Sequence, residues 1–329
     1  MIGVGVVGLG WWGRVIAGKL GAIEGLRLAG TADPDPATGA TVADLEHLLA
    51  LPGVDAVILC IPHTGHAEAI VTCAEAGRHV FCEKPLALKA GDARRAVAAC
   101  GRAGVVLGVG HERRFEAPMQ RLMRAVSDGE LGTILSVEAA LSHDRFVGLP
   151  AEHWRGSTAE APAAGMTGMG VHLTDAFIAM LGAVEEVHAY TARRVLPLPT
   201  GDVVSVSMRF REGPIATVSA VSATPFYGRA AVFGSAGWME LRDDDHPEAT
   251  AGGVLTTFRQ GGEPCAQHVD PEGDAVVANL SAWAAAIHGT GTYPFTAEEL
   301  VHNVAVLEAT ARSADTGRPV PMVGELAWC

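Results

Sequence analysis

The feature that most constrains this chain is the order of patterns in its first 33 residues. A short apolar run, Val4 to Val7, leads directly into the turn Gly8-Leu9-Gly10-Trp11-Trp12-Gly13. A segment with helical spacing follows, and a second apolar run, Leu26 to Ala32, ends at Asp33. A strand, a GxGxxG turn, a helix and a second strand ending in an acidic residue are typical of a dinucleotide-binding βαβ unit. The alternative is a glycine-rich structural turn, since the chain has 40 glycines.

Each glycine of this turn has its own expected role. Gly8 permits the tight turn, Gly10 lets the backbone approach a pyrophosphate, and Gly13 lets the helix pack closely on the strand. The first helical positions, Trp11 and Trp12, would present free N–H groups to the phosphates. These residues are therefore predicted to bind a cofactor.

The identity of the residue after the second strand bears on which nicotinamide cofactor binds. A carboxylate at Asp33 would accept hydrogen bonds from the adenosine ribose and repel a 2′-phosphate. The next three positions, 34–36, supply no Arg or Lys that could receive such a phosphate. The sequence therefore predicts NAD rather than NADP.

Composition narrows the class of protein. The 329 residues are enough for two domains, and 49% of them are hydrophobic against 19% charged, as in a globular protein. A net charge of −13 argues against nucleic acid or an anionic membrane as a partner. No apolar run approaches the ~20 residues that span a bilayer. The six cysteines form no CxxC pair, which favours reduced thiols in a cytoplasmic protein and no metal site.

Two different rhythms of secondary structure predict two domains. Strand and helix patterns alternate over 1–118, which favours a Rossmann domain with a parallel sheet. From 119 to 329 strand-like runs follow one another, which favours an α+β domain with a large, mostly antiparallel sheet. The fold class is thus α/β with these two domains, and the stretch from Asp243 to Gly253 is the most exposed loop expected.

Two local features of this organisation lead to further expectations. The segment from Asp33 to Val54 is too short for a usual helix and a full third strand, so Thr41-Val42-Ala43 is expected to be a minimal strand. In the second domain, the neighbouring Val203 and Val204, and Ile215 with Val218, suggest a sheet with apolar residues on both faces in places. Because one chain's helices cover only one face, a homo-oligomer, either a dimer or a tetramer, is expected.

Several further motifs follow the glycine-rich turn. They are Ile61-Pro62 with His66, Glu83-Lys84-Pro85, Arg113-Arg114-Phe115, Trp154-Arg155, the glycines at 165, 168 and 170 ahead of His172 and Asp175, and SADTGRPV at 313–320. Together these motifs resemble those of the Gfo/Idh/MocA oxidoreductases over essentially the whole chain. The resemblance implies an NAD(P)-dependent enzyme that interconverts a secondary alcohol and a ketone on a sugar, a cyclitol or a related polyol.

The resemblance also implies roles for individual residues. Lys84 and His172 would be catalytic and handle the proton during hydride transfer. Beyond the glycine-rich turn and Asp33, the cofactor would contact Ile61, Pro62, His63, His66, Glu83 and Lys84. The substrate would contact Lys84, Trp154, Arg155, His172 and Asp175, with Trp154 as a stacking wall and Arg155 as a ligand for hydroxyls or a carboxylate.

One departure from the family pattern concerns the partner of the histidine. Family members usually carry Asp four residues before this His, and the chain has Gly168 there. Asp175 is expected to take over, by holding the tautomer of His172 or by binding a substrate hydroxyl, while Glu112 is expected to be peripheral. Pocket positions that are not expected to be essential also include His63, His143, Asp144, His153 and Tyr227.

Two alternatives to the dehydrogenase stay open. Tightly bound NAD could run an internal redox cycle, giving net glycoside cleavage or elimination. The chain could also be a nucleotide-binding protein without catalytic activity, for which the absence of the usual Asp is the main argument.

Overall fold

The fold of this chain is seen in a computed structural model that describes residues 1–245 and 252–328. Its helices are α1 (Trp11–Lys19), α2 (Leu45–Leu49), α3 (His66–Glu75), α4 (Ala90–Ala103), α5 (Ala117–Ser127), α6 (Val171–Leu181), α7 (Ala275–Ile287) and α8 (Ala297–Thr316). Its strands are β1 (Ile2–Val7), β2 (Leu26–Ala32), β3 (Ala56–Leu59), β4 (His79–Cys82), β5 (Leu107–Val109), β6 (Ile134–Ser142), β7 (Val184–Ala192), β8 (Val203–Phe210), β9 (Ile215–Val221), β10 (Tyr227–Gly234), β11 (Gly237–Asp243), β12 (Gly253–Arg259), β13 (Cys265–Val269) and β14 (Val320–Pro321).

The chain forms two compact units from discontinuous segments. The first unit comprises Met1–His111 and Val276–Ala297, and the second comprises Glu112–Ala275 and Glu298–Cys329. The division predicted from sequence had a single boundary after residue 118, so the return of α7 to the first unit is a difference from it.

A parallel sheet is the centre of the first unit. Its strand order is β2-β1-β3-β4-β5, as expected for a Rossmann domain. Parallel pairing brings the carboxyl ends of these strands to one edge, where ligands bind in such sheets. The minimal third strand is confirmed as a single bridge between Ala32 and Val42, and the short helix α2 follows it.

Hydrophobic contacts explain why α7 belongs to the first unit. Trp283 is fully buried, and its ring lies 5.6 Å from that of Phe81 on β4 in an edge-to-face arrangement. Two hydrogen bonds end on the Val109 carbonyl at the end of β5, one from the amide of Asn279 at 2.9 Å and one from the hydroxyl of Tyr293 at 3.1 Å. The segment therefore fills the core and fixes the end of β5.

The second unit contains a nine-stranded sheet in the order β13-β12-β11-β10-β6-β9-β8-β7-β14. All neighbouring strands are antiparallel except β6 and β9, which pair in parallel. The mostly antiparallel sheet agrees with the fold class predicted from sequence. Among the helices of the described residues, none has both the length and the apolar character needed to cross a membrane.

The expectation of a sheet that is apolar on both faces fails on β8, whereas on β9 the exposed Ile215 lies on the face opposite to the buried Val218. Val204, Val206 and Met208 alternate with exposed polar residues, so they all lie on the same buried face. Strand side chains alternate between faces, and the opposite face of β8 carries Ser205, Ser207 and Arg209. The helix α6 packs against β6 and β9 of this sheet.

The expected loop between Asp243 and Gly253 is more ordered at its ends than the sequence suggested. Asp243 ends β11 and pairs with Gly253, the first residue of β12. Its side chain is buried and ion-paired with Arg113, as described below. The middle of the stretch, 246–251, lies outside the described residues.

Candidate cofactor and substrate sites

The glycine-rich turn has the geometry that a phosphate-binding loop needs. Gly8 has a φ of +89°, which favours glycine, and a Cβ there would collide with the Cys60 carbonyl. A Cβ on Gly13 would collide with the Gly8 carbonyl, so the close approach of α1 to β1 requires this glycine. Gly10 differs, because a Cβ there would meet no atom within 4 Å. Gly10 caps the N-terminus of α1, so the open space at Gly10 fits a pyrophosphate held by the free N–H groups of this helix.

These differences predict that substitutions at Gly10 and Gly13 affect different properties of the protein. Gly10→Val should leave folding intact and weaken NAD binding by at least about tenfold, because the added methyl groups fill the space for the phosphates. Gly13→Val should lower the thermal midpoint of unfolding strongly, because the helix must move away from the strand. Thermal scans and NAD titrations of both variants check this. A Gly10→Val variant with wild-type affinity would contradict the phosphate assignment.

Asp33 lies at the end of β2 and braces the turn. Its Oδ2 accepts the Leu9 N–H at 2.6 Å, and its Oδ1 accepts the Asp35 N–H at 2.9 Å. A carboxylate offers about four acceptor sites, so two of these bonds leave capacity for ribose hydroxyls. Of the two tryptophans predicted to contact the cofactor, Trp11 is 56% exposed, and its ring lies 5.3 Å from the partly buried ring of Trp12.

His66 is held differently from the cofactor contact expected of it. The side chain is fully buried, and its two ring nitrogens lie 2.7 Å from the Pro85 carbonyl and 3.0 Å from the Ile61 carbonyl. It therefore links the loop after β3 to the loop after β4. Pro62 is exposed and His63 half-buried in the same loop, and the His63 ring lies 5.6 Å from that of His66.

Glu83 and Lys84 follow β4 at the edge where the strands end. Glu83 is buried, and its Oε2 accepts the backbone N–H of Lys84 at 3.3 Å. A Cβ on Gly110, just after β5, would lie 2.6 Å from this carboxylate, so a larger residue there would displace the Glu83 side chain. The Lys84–Pro85 peptide bond is cis, and the Lys84 side chain is half-buried.

The cysteines of this unit are core residues. Burial raises the pKa of the Cys60 and Cys82 thiols well above the usual value, and that of Cys73 to about 12. Such thiols stay protonated and unreactive at neutral pH. No group of three metal-binding side chains is found among residues 1–245 and 252–328.

In the second unit, His172 lies in the first turn of α6. A π-helical turn, Met166–Gly170, precedes this helix, and such turns are frequent at functional sites. His172 is only 5% exposed, and its Nε2 lies 3.7 Å from Oε1 of Glu112. Glu112 begins the 3₁₀ turn that ends at Phe115. The carboxylate that lies near the histidine is therefore one that sequence reasoning treated as peripheral.

Asp175 is paired with an arginine that sequence reasoning did not assign to it. Its two carboxylate oxygens accept hydrogen bonds from Nε and Nη2 of Arg114, at 2.6 and 2.7 Å. Asp175 is 1% exposed, and Arg114 also pairs with Glu299 at 3.1 Å. A bidentate pair of this kind fixes both partners and leaves Asp175 turned toward Arg114. Asp175 therefore connects α6 to the 112–115 turn, and its assignment to His172 or to a substrate hydroxyl stays a prediction.

A second buried cluster of charged side chains is centred on the neighbouring arginine, Arg113. Nη2 of Arg113 is 2.6 Å from Asp243 and 3.3 Å from Glu116. Two carboxylates thus share one guanidinium in a buried place. Burial raises the pKa of Glu116 to about 7, and the negative charge of Asp243 adds to this effect against the opposing effect of Arg113.

The raised pKa of Glu116 predicts how stability depends on pH. The folded state holds this proton more tightly than the unfolded state, so the stabilising contribution is complete below pH ~4.5 and is lost as the pH rises through about 7. Glu116→Gln keeps a neutral side chain at every pH. Its free energy of unfolding should therefore gain roughly 2 kcal/mol relative to wild type between pH 5 and pH 8. Urea unfolding at both pH values checks this, with the exposed Glu212→Gln as control; a constant difference would contradict it.

Trp154 and Arg155 lie in a 3₁₀ turn, Trp154–Gly156. The Arg155 guanidinium stacks on the Trp154 ring at 4.2 Å from its centroid, a cation–π contact that orients both side chains. The ring of His153 also stacks with that of Trp154, and their centroids lie 5.9 Å apart. Burial, together with the Arg155 charge, lowers the pKa of His153.

The segment leading to α6 contains strain that the sequence did not reveal. Ala163 and Ala164 have φ values of 59° and 51°, which are uncommon for residues with a side chain. Thr200 holds the segment, since its hydroxyl donates to the Ala161 carbonyl and accepts the Ala164 N–H at 3.0 Å. Strained backbone persists where surrounding contacts fix it, and it is often found at functional sites.

Two protein-family models match successive parts of the chain. Residues 2–111 match the oxidoreductase family with an NAD-binding Rossmann fold, GFO_IDH_MocA. Residues 119–240 match a GFO/IDH/MocA C-terminal domain.

Two relatives match over most of their length. The chain is 30% identical to 1,5-anhydro-D-fructose reductase of Ensifer adhaerens over 85% of this chain and 83% of that protein. It is 31% identical to inositol 2-dehydrogenase 2 of Saccharopolyspora erythraea over 97% of this chain and 95% of that protein. Among solved structures, GenD2 from gentamicin A biosynthesis in complex with NAD has a TM-score of 0.83 at 28% identity, over 98% of this chain and 97% of that one.

Proposed function

Because the chain belongs to the Gfo/Idh/MocA oxidoreductase family, we propose that it transfers a hydride between NAD and a sugar, a cyclitol or a related polyol. The reaction would interconvert a secondary alcohol and a ketone. The observation that carries this proposal is the similarity, over most of the chain, to one relative named for a sugar reductase and to another named for an inositol dehydrogenase.

Residues of the first unit would hold the cofactor. The N-terminus of α1 and the open position at Gly10 fit the pyrophosphate, and Asp33 has acceptor capacity for the adenosine ribose. The loop after β3, with Ile61, Pro62 and His63, would border the cofactor further along the strand ends. His66, which is fully buried on two carbonyls, would act by fixing these loops. When bound, NAD supplies the hydride acceptor of the reaction.

The proton would be handled by Lys84 and His172. In the oxidation direction, neutral His172 takes the proton of the reacting hydroxyl, and the Lys84 ammonium stabilises the negative charge that develops on the oxygen. In the reverse direction the imidazolium returns the proton to that oxygen. Glu83, next to Lys84, orients this loop through its bond to the Lys84 N–H. Trp154 and Arg155 would supply a stacking surface and hydroxyl-binding donors to the substrate.

The experiment that tests the proposal is a panel of polyols, cyclitols, sugars and dihydrodiols, each offered with NAD and with NADP. We expect stoichiometric NADH formation, followed at 340 nm, with at least one substrate, and tighter binding of NAD because Asp33 repels a 2′-phosphate. Equal or tighter binding of NADP would overturn the cofactor assignment. A converted substrate without NADH release would favour the internal redox cycle instead.

Assembly and location are part of the same proposal. We propose a dimer or a tetramer, supported by exposed large side chains on the outer face of the nine-stranded sheet, such as Tyr190 at 64% and Ile215 at 51% exposure. Light scattering at micromolar concentration would show a monomer if this is wrong. We propose the cytoplasm as location, supported by the free thiols of the five described cysteines.

A further inference from the structure

A carboxylate from outside its own helix lies close to His172. The Nε2–Oε1 distance to Glu112 is 3.7 Å, and the two side chains are 5% and 12% exposed. A carboxylate at this distance in a largely buried place favours the protonated imidazole more strongly than it would at the surface. The distance exceeds that of a direct hydrogen bond, so the contact acts mainly through charge.

Several other carboxylates near α6 are already paired with arginines. Asp175 and Glu299 pair with Arg114, and these pairs are buried or partly buried. Other charged or titratable groups on the elements that pack against α6, or next to them, include Arg113, which pairs with Glu116 and Asp243, and Glu138, which pairs with Arg229. They also include Arg121, Arg124 and His143. The helix α8, which is hydrogen-bonded to α6 through Asn303, adds Glu298, His302, Glu308, Arg312 and Asp315. Glu112 also acts by charge on Arg113, and its Oε1 lies 3.7 Å from Nε2 of His172.

The helix itself provides no carboxylate at the preceding turn. Gly168 lies four residues before His172, and a Cβ there would contact only Cζ of Phe146, at an ordinary 3.6 Å. Side chains four residues apart on a helix are neighbours. The space at Gly168 therefore admits a side chain that could reach His172, and this allows the role of Glu112 to be moved experimentally.

We propose that Glu112 is the positioning residue of His172, stabilising its protonated form and thereby setting the pH at which this histidine exchanges its proton. The inference rests on the proposed function in assigning proton transfer to His172. During oxidation, the O–H bond of the substrate breaks, its proton binds to the imidazole, and the nearby carboxylate balances the new positive charge. After oxidation the imidazolium releases this proton to solvent before the next turnover; in the reverse reaction it donates a proton to the substrate oxygen, and Glu112 keeps its charge throughout.

The direct test is an NMR titration of the histidines in the full-length protein without substrate. The chain has 13 histidines, and the His172 resonance is assigned by its absence from His172→Asn. In Glu112→Gln we expect the titration midpoint of His172 to fall by about one pH unit or more, a tenfold change in proton affinity. The control Glu185→Gln removes an exposed carboxylate on β7 and should leave the midpoint unchanged.

A transplanted carboxylate separates a charge effect from a general structural one. Glu112→Gln combined with Gly168→Asp should recover at least half of the lost midpoint shift, whereas damage to the turn at residue 112 would not be repaired there. Glu112→Asp keeps the charge and should fall between wild type and Glu112→Gln, which keeps the test decisive if the Gln variant folds poorly. A midpoint that moves by less than about 0.3 units in every variant overturns the proposal.

Kinetics then separate this inference from the proposed function. With a verified substrate, the acid limb of kcat/KM should move to lower pH in Glu112→Gln, in the same direction as the NMR midpoint. If no substrate of the panel is turned over while the NMR shift is present, the pairing stands and the proposed function fails. If turnover is found but the midpoint does not move, the pairing fails and the function stands.

Discussion

Replacing Lys84 by methionine is expected to lower kcat by about 10²–10⁴-fold and to leave the NAD dissociation constant within about threefold of wild type. Methionine keeps the length of the side chain and removes the ammonium. The charge would stabilise the oxygen only while the hydroxyl loses or gains its proton, so the loss should fall on turnover. In the proposed site the α1 turn would hold the phosphates, so cofactor affinity should be preserved.

The chain offers a close control for this variant. Lys89 is exposed and precedes α4 on the same stretch after β4, and Lys89→Met removes an ammonium only five positions away. It should keep wild-type kcat and NAD affinity. Steady-state kinetics and fluorescence titration of NAD measure both quantities. A Lys84→Met variant with near-normal turnover would show that the alkoxide is stabilised elsewhere.

The parts of the fold that follow from local patterns could be predicted from the sequence. The glycine-rich turn, the parallel order of the first unit and the mostly antiparallel second sheet are encoded in periodicity and in turn residues. Even the minimal strand at Val42, which pairs with β2 through a single bridge, could be inferred, because too few residues separate Asp33 from Val54. The strands β12 and β13 were missed, since their runs are short and lie among polar and glycine residues.

Partners that are distant in sequence were not predictable in this way. Helical spacing correctly placed Asp175 one turn from His172, but it carries no information about Arg114, which is 61 positions away and takes both oxygens of Asp175. The same limit applies to Glu112, whose position beside His172 depends on how the turn after β5 meets α6. The course of α7 is a third case, because its apolar side chains fit the core of either unit by composition alone.

Burial also changes what a residue type means. A conspicuous histidine such as His66 looked like a ligand contact, yet its ring bridges two carbonyls inside the first unit. Buried polar groups must find partners, and a histidine can connect two loops as effectively as it can bind a ligand. The strained backbone at Ala163 and Ala164 left no signal in the sequence, because alanine at a positive φ is set by its surroundings.

The second large effect is expected at His172. His172→Asn should lower turnover by about 10²–10⁴-fold, because the amide cannot accept and return a proton near neutral pH. Asparagine occupies part of the space of the ring, which limits the cavity left in α6, where residues 171–178 are all buried. The thermal midpoint should therefore fall little, and the loss should appear in kcat.

A buried histidine with a structural role makes the matched comparison. His302 on α8 is 1% exposed, and its Nε2 accepts the backbone N–H of Val184 at 2.9 Å. His302→Ala should leave that N–H without an acceptor and destabilise the protein by about 1–3 kcal/mol, with kcat unchanged at temperatures where it is folded. His172→Asn should thus lose turnover and keep its stability, whereas His302→Ala should lose stability and keep its turnover. If His172→Asn instead keeps near-normal turnover on a verified substrate, the proton must be exchanged through Lys84 or another donor, and the assignment of His172 is wrong.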